Sequence, residues 1–159
     1  MKSSRLHLEE FFIKRLNLEW VTSESGKNAD AEEYPSDLGI DYELARHDED
    51  PRCFRLLLNV ESLVKEDYTG LKMETEIVGF FSFPDDTEED EMQYLVRING
   101  ASMLYGILRG QIAMVTGSFP TGKMNLPPVV MQEVLPEIDR AKEEASKEAA
   151  KESNSGEKE

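Results

Sequence analysis

The sequence predicts an α+β fold: a four-stranded antiparallel sheet followed by two helices packed on one of its faces. Three observations predict it. Apolar residues recur with period two in four separate segments between residues 5 and 83, which is the signature of strands with one buried face. After Pro84 the spacing becomes helical. The link between the last two strand segments is a short turn, which suits antiparallel pairing and is too short for a parallel crossover.

The first alternating run spans residues 5–21. Leu6, Leu8, Phe12, Leu16, Leu18 and Trp20 share one parity, against His7, Glu9, Arg15, Asn17 and Glu19. Phe11 and Ile13 interrupt the polar parity, so that face is expected to be partly apolar. Residues 22–37, rich in Ser, Gly, Asn, Asp and Glu and containing Tyr34-Pro35, read as a loop. Alternation resumes at Leu38, Ile40, Tyr42 and Leu44, breaks at His47–Pro51, and returns with Phe54, Leu56, Leu58 and Val60. A turn at residues 65–70 leads to Leu71, Met73, Ile77 and Phe81, and from Val78 to Phe83 both parities become apolar.

Residues 85–100 form an acidic connector. Asp85–Asp90 suits a helix start, where the dipole favours negative charge. Met92, Leu95 and Val96 give a short helix, expected to close at Asn99-Gly100. Leu104, Tyr105, Leu108, Ile112 and Val115 carry helical spacing, and Met103, Ile107 and Met114 widen the stripe around the helix. A helix so broadly apolar is expected to be covered on two sides, one by its own sheet and one by a second subunit. Gly117–Pro128 is a loop. A last helix starts near Pro128, meets Pro136 after two turns, and continues through a segment rich in Ala, Glu and Lys in which Glu143 is placed to pair with Lys147. The expected organisation is one domain over residues 1–152, with 153–159 as a disordered tail.

The 159 residues fit a single core, and the formal net charge of −15 opposes binding to nucleic acid, which needs a basic stripe. Cys53 is the only cysteine, so no disulfide links the chain to itself, and a reducing, cytoplasmic setting is expected. No apolar run approaches the length of a membrane span, so no membrane insertion is expected. Catalysis is not expected either. His7 and His47 lack a second ligand at metal-binding spacing. Thr121-Gly122-Lys123 is followed by Met124 and preceded by a helix, unlike a phosphate-binding loop. The acids of residues 85–91 lack the order and glycine of a calcium loop. No cofactor or metal is expected.

Met103-Leu104-Tyr105, Arg109, Ile112, Phe119-Pro120 and Asn125-Leu126-Pro127-Pro128-Val129, in that order, resemble the signature of the SecB family of protein-export chaperones. Gly79-Phe80-Phe81-Ser82-Phe83 resembles the end of that family's fourth strand, and Phe12-Ile13-Lys14 with Leu18-Glu19 its first. The resemblance covers roughly residues 5–135. It implies an ATP-independent holdase, a tetramer built as a dimer of dimers with the first long helix in the subunit interface, and unfolded or preprotein chains as clients. It also implies docking to the export motor SecA. Of the four features of the family's docking surface, Glu19 and Glu74 keep the acids, whereas Arg15 stands where the family has an acid and Lys72 where it has an apolar residue. An alternative role that the resemblance offers is a dedicated stabiliser of one partner, such as an antitoxin, without SecA docking.

The candidate client-binding residues are Phe11, Ile13, Leu57, Leu63, Val78 and Phe80, which fall off the parity of the main core, and Trp20, Tyr42 and Tyr105, which are placed to line grooves between sheet and helices. Met103, Ile107 and Met114 are candidates for the oligomer interface. A third possibility is an interaction subunit that works through the open edge of the sheet.

Overall fold

A computed structural model describes residues 5–22, 37–64, 68–119 and 123–155. Strands β1 (His7–Val21), β2 (Asp37–Arg46), β3 (Cys53–Leu63) and β4 (Gly70–Ser82) form one antiparallel sheet in the order β1-β4-β3-β2. Helix α1 (Glu89–Leu95), a π-helical turn (Val96–Gly100) and helix α2 (Ala101–Thr116) follow without a break, and helix α3 spans Met131–Ser155. The α+β class and the four-stranded antiparallel sheet followed by helices are therefore as expected. Most of the expected 22–37 loop lies outside the described residues, as do residues 156–159 of the expected tail.

The chain divides into two compact units, residues 1–128 and 129–159. The first holds the sheet, α1 and α2. Its core is the helix side of the sheet, where Leu56, Leu58, Val60, Met73, Ile77 and Phe81 are buried against Val96, Leu104, Leu108 and Ile112. α2 packs over the two central strands, β3 and β4. Gly79 permits this approach: a Cβ there would lie 2.7 Å from Leu104 Cδ2 and 2.9 Å from the Phe81 ring. The second unit is α3, which continues through Pro136. Residues 141–147 are exposed, with Lys147 Nζ 3.9 Å from Glu143.

The expected cap at Asn99-Gly100 is corrected. Gly100 has right-handed helical dihedrals inside a continuous helical run. The glycine serves packing instead, because a Cβ would sit 3.2 Å from Phe81 Cζ and 3.4 Å from Leu56 Cδ2. The π turn takes up an extra residue in the helix, so the chain does not have to stop there.

Three arginines hold the acidic connector to the end of the sheet. Arg46 makes a bidentate contact with Glu89 (2.5 and 2.7 Å) while its guanidinium lies 5.5 Å from the Phe54 ring centroid. Arg52 pairs with Asp85, and Arg5 with Glu91 at 3.3 Å. Arg46 holds the Glu89 carboxyl below its ordinary range.

Candidate interaction surfaces

Two bulges in β1 decide what each sheet face presents. Leu8 pairs with Phe81, but Glu10 pairs with Phe80, so one residue is inserted between them; a second irregularity lies between Ile13 and Arg15. A bulge inserts one residue and reverses the parity that follows it. Leu8, Leu16, Leu18 and Trp20 accordingly share the helix side with their partners Phe81, Thr75, Met73 and Leu71. Between the bulges the parity is inverted. Phe11 and Ile13 oppose Gly79 and Ile77 and lie on the helix side, and Phe12 opposes Val78 on the open side. This corrects the expected placing of Phe11 and Ile13 away from the core face and of Phe12 on it.

The open face carries an apolar patch. Phe12 and Phe80 are exposed, with ring centroids 6.2 Å apart, and Val78 and Leu57 are buried on the same face in the cross-strand row Phe12–Val78–Leu57. The expectation that Leu57, Val78 and Phe80 leave the main core side is met, and Phe12 joins them. Leu63, 54% exposed, lies further along the same face.

On the helix side Phe11 and Trp20 are 43% and 47% exposed, and Ile13, Leu16 and Leu18 are partly exposed. β1 is an edge strand, and α2 packs over its neighbours, so these side chains form an apolar strip beside the core. Tyr42 and Tyr105 do not line an open groove. Tyr42 is buried opposite Leu58. Tyr105 is 3% exposed, its hydroxyl donates to the Pro127 carbonyl at 2.7 Å, and burial pushes its pKa up. The physical reason is position: Tyr105 belongs to the buried stripe of α2 together with Leu104, Leu108 and Ile112.

The rest of the open face is charged. Glu76 forms ion pairs with Lys14 at 2.9 Å and Arg15 at 3.5 Å. The Lys14 hydrogen bond, aided by the Arg15 charge, holds its carboxyl below the ordinary range against the opposing effect of burial. Lys72 reaches Glu74 at 3.2 Å and is the cross-strand partner of Glu19. The sequence-derived pair Glu19 and Glu74 thus falls on one face, with Lys72 beside both. Asp41, Asn59, Glu61, Glu74, Glu76 and Arg15 border a shallow basin of about 440 Å³ next to Gly39. Asn59 Oδ1 is buried there without a hydrogen-bond partner among the described residues.

α2 presents a separate outward stripe. Met103 and Met114 are 40% and 65% exposed, Ile107 is partly exposed, and among the described residues a Cβ at Gly106 or Gly110 would meet nothing within 4 Å beyond its own helix backbone. Among the described residues no cluster of three or more His, Cys, Asp or Glu side chains is arranged to hold a metal, and no helix is long and apolar enough to cross a membrane.

No protein-family model and no curated protein matches the sequence. Solved structures do. The chain is similar to the SecB-like chaperone Rv1957 of Mycobacterium tuberculosis, solved in complex with a ChAD peptide from the HigA1 antitoxin Rv1956. The similarity has a TM-score of 0.51 at 16% identity, over 79% of this chain and 91% of that one. A protein of unknown function from Streptococcus agalactiae matches with a TM-score of 0.45 at 13% identity, over 80% of this chain and 100% of that one. The fold of this chain is SecB-like.

Proposed function

We propose that this chain is a holdase chaperone that binds unfolded or incompletely folded polypeptide without nucleotide and without chemistry. The observation that carries the reading is the exposed apolar surface of the SecB-like sheet: Phe12 and Phe80 on one face, Phe11 and Trp20 on the other. Contiguous exposed apolar residues on a soluble fold mark interaction sites. Each 100 Å² of client apolar surface covered contributes roughly 2.5 kcal/mol gross, before the cost of ordering the client. The net charge of −15 favours basic clients and opposes self-association of the patches.

The holder works as an oligomer in this reading, with the outward stripe of α2 (Met103, Ile107, Met114) against a second copy. Glu19 and Glu74 support docking to SecA, and Arg15 and Lys72, on the same face, weigh against it. The working site is cytoplasmic.

A second reading is a dedicated stabiliser of one partner. It is favoured by the similar M. tuberculosis chaperone, whose structure holds an antitoxin peptide. Binding to a panel of unrelated unfolded proteins, followed by co-elution without nucleotide, separates the two. A generic holdase retains most of the panel. A dedicated stabiliser retains none, yet retains an antitoxin encoded beside it. Binding that requires ATP contradicts both.

A further inference from the structure

The two edges of the sheet differ. β1, at one edge, is interrupted by two bulges and has Lys14 at the second. Bulges and lysines are devices that keep an edge from pairing with another chain. β2, at the other edge, runs ten residues against β3 in unbroken register, from Asp37 opposite Leu63 to Arg46 opposite Phe54. It contains no proline, lysine or bulge. Among the described residues no strand pairs with its outer side.

The register says which main-chain groups point outward. The His47 N–H donates to the Cys53 carbonyl at 2.8 Å, one position beyond the Arg46–Phe54 pair. Residues of odd number therefore bond to β3, and those of even number, Leu38, Ile40 and Leu44 among them, turn their amides and carbonyls away from it. The Tyr42 amide, of the same parity, donates to the Asp41 carboxylate at 2.8 Å. Pairing at that position exchanges a side-chain acceptor for a main-chain one.

The side chains of β2 alternate in chemistry as well as direction. Leu38, Ile40 and Leu44 lie on the helix side and are only partly buried, whereas Asp37, Asp41 and Glu43 are exposed on the open side. A strand laid along this edge would extend the apolar layer with one set of side chains and face the carboxylates of Asp37 and Glu43 with the other.

We propose that the outer edge of β2 captures a client segment as a fifth strand, and that the segment it fits alternates apolar residues with Lys or Arg. The proposal rests on the chaperone reading and adds the mode of capture. Main-chain hydrogen bonds supply sequence-tolerant affinity, and the apolar and acidic rows select the alternation.

The test uses the full chain and a synthetic ten-residue peptide of alternating Ile and Lys. One control has Lys replaced by Glu; another is N-methylated at every second residue, on the edge that would pair. A variant, Ile40→Pro, removes an outward donor while leaving the bonds to β3, a substitution that edge strands tolerate. The expected result is binding of the Ile/Lys peptide with at least tenfold slower amide exchange at Leu38, Ile40 and Leu44. Affinity should fall at least tenfold for either control peptide. It should fall equally for Ile40→Pro, whose folding circular dichroism checks. No binding of the Ile/Lys peptide overturns the proposal, as does binding that leaves those amides unprotected or that survives N-methylation. Aggregation suppression measured on the same wild-type sample keeps the two readings apart. If suppression is present without strand capture, the edge proposal fails and the holdase stands; if suppression is absent, the holdase reading fails.

Discussion

Phe12 and Phe80 stand side by side on the open face of the sheet, 6.2 Å between ring centroids, on two strands joined by antiparallel pairing. Neither would meet the other without the bulge between Leu8 and Glu10, which turns Phe12 outward. Replacing both by serine removes most of the exposed aromatic surface of that face and little of the core. The double variant is expected to bind unfolded clients at least fivefold more weakly, with a melting temperature within about 3 °C of the parent. Unchanged client binding would move the site to the helix-side strip of Phe11 and Trp20.

Gly79 tests the packing of α2 on the sheet. Its missing side chain is what lets Leu104 and Phe81 close over β4. Gly79→Ala is expected to destabilise the fold by about 1–3 kcal/mol through overpacking, read as a lower midpoint in denaturant unfolding.

Tyr105 anchors the chain after α2. Its hydroxyl donates to the Pro127 carbonyl at 2.7 Å. Tyr105→Phe keeps the ring and removes the bond, so a loss of about 0.5–1.5 kcal/mol is expected. Client binding should be unchanged, since the ring is buried.

Glu76 gives the pH dependence a sign. Its carboxyl is held below the ordinary range by Lys14 and then Arg15. A group depressed on folding contributes stability that is present above its unfolded value and is lost as the pH falls through its folded value. The stability difference between the parent and Glu76→Gln is therefore expected to be largest at neutral pH and to shrink on acidification past the ordinary glutamate range. Chemical unfolding along a pH series measures it; a constant difference would show that the ion pairs contribute nothing through titration.

The outward stripe of α2 sets the assembly in the proposed reading. Met103→Glu with Met114→Glu places charges on two exposed positions of that stripe. Sedimentation is expected to show dissociation of the oligomer into smaller species that keep their secondary structure. An unchanged mass would place the interface elsewhere.

Most of this fold was legible in the sequence because period two and helical spacing report directly on which side of an element is buried. Strands β2, β3 and β4 and the apolar face of α2 follow from alternation and spacing alone, and so do Leu57, Val78 and Phe80 as residues leaving the core side. The paired bulges of β1 were not legible. Alternation is correct at Leu8 and again from Leu16 to Trp20, and it is inverted between the bulges, from Glu10 to Ile13. The apolar run Phe11-Phe12-Ile13 offers an apolar residue to either face, so it hides the shift, and only Glu10 and Lys14, charged residues on the otherwise apolar parity, mark where it begins and ends. Gly100 escapes the local signal for a related reason: Asn-Gly reads as a stop, but here the glycine leaves room for Phe81 and Leu56 inside the helical run. Tyr42 and Tyr105 show the limit for aromatics, whose spacing gives the face they occupy but not whether that face is covered.

The most direct measurement is the light scattering of a chemically denatured client, diluted into buffer with increasing amounts of the purified chain and no nucleotide. The proposed holdase predicts suppression that saturates near one assembly per client and weakens when Phe12 and Phe80 are both serine. Undiminished aggregation at a several-fold excess of the chain, or suppression that appears only with ATP, would contradict it.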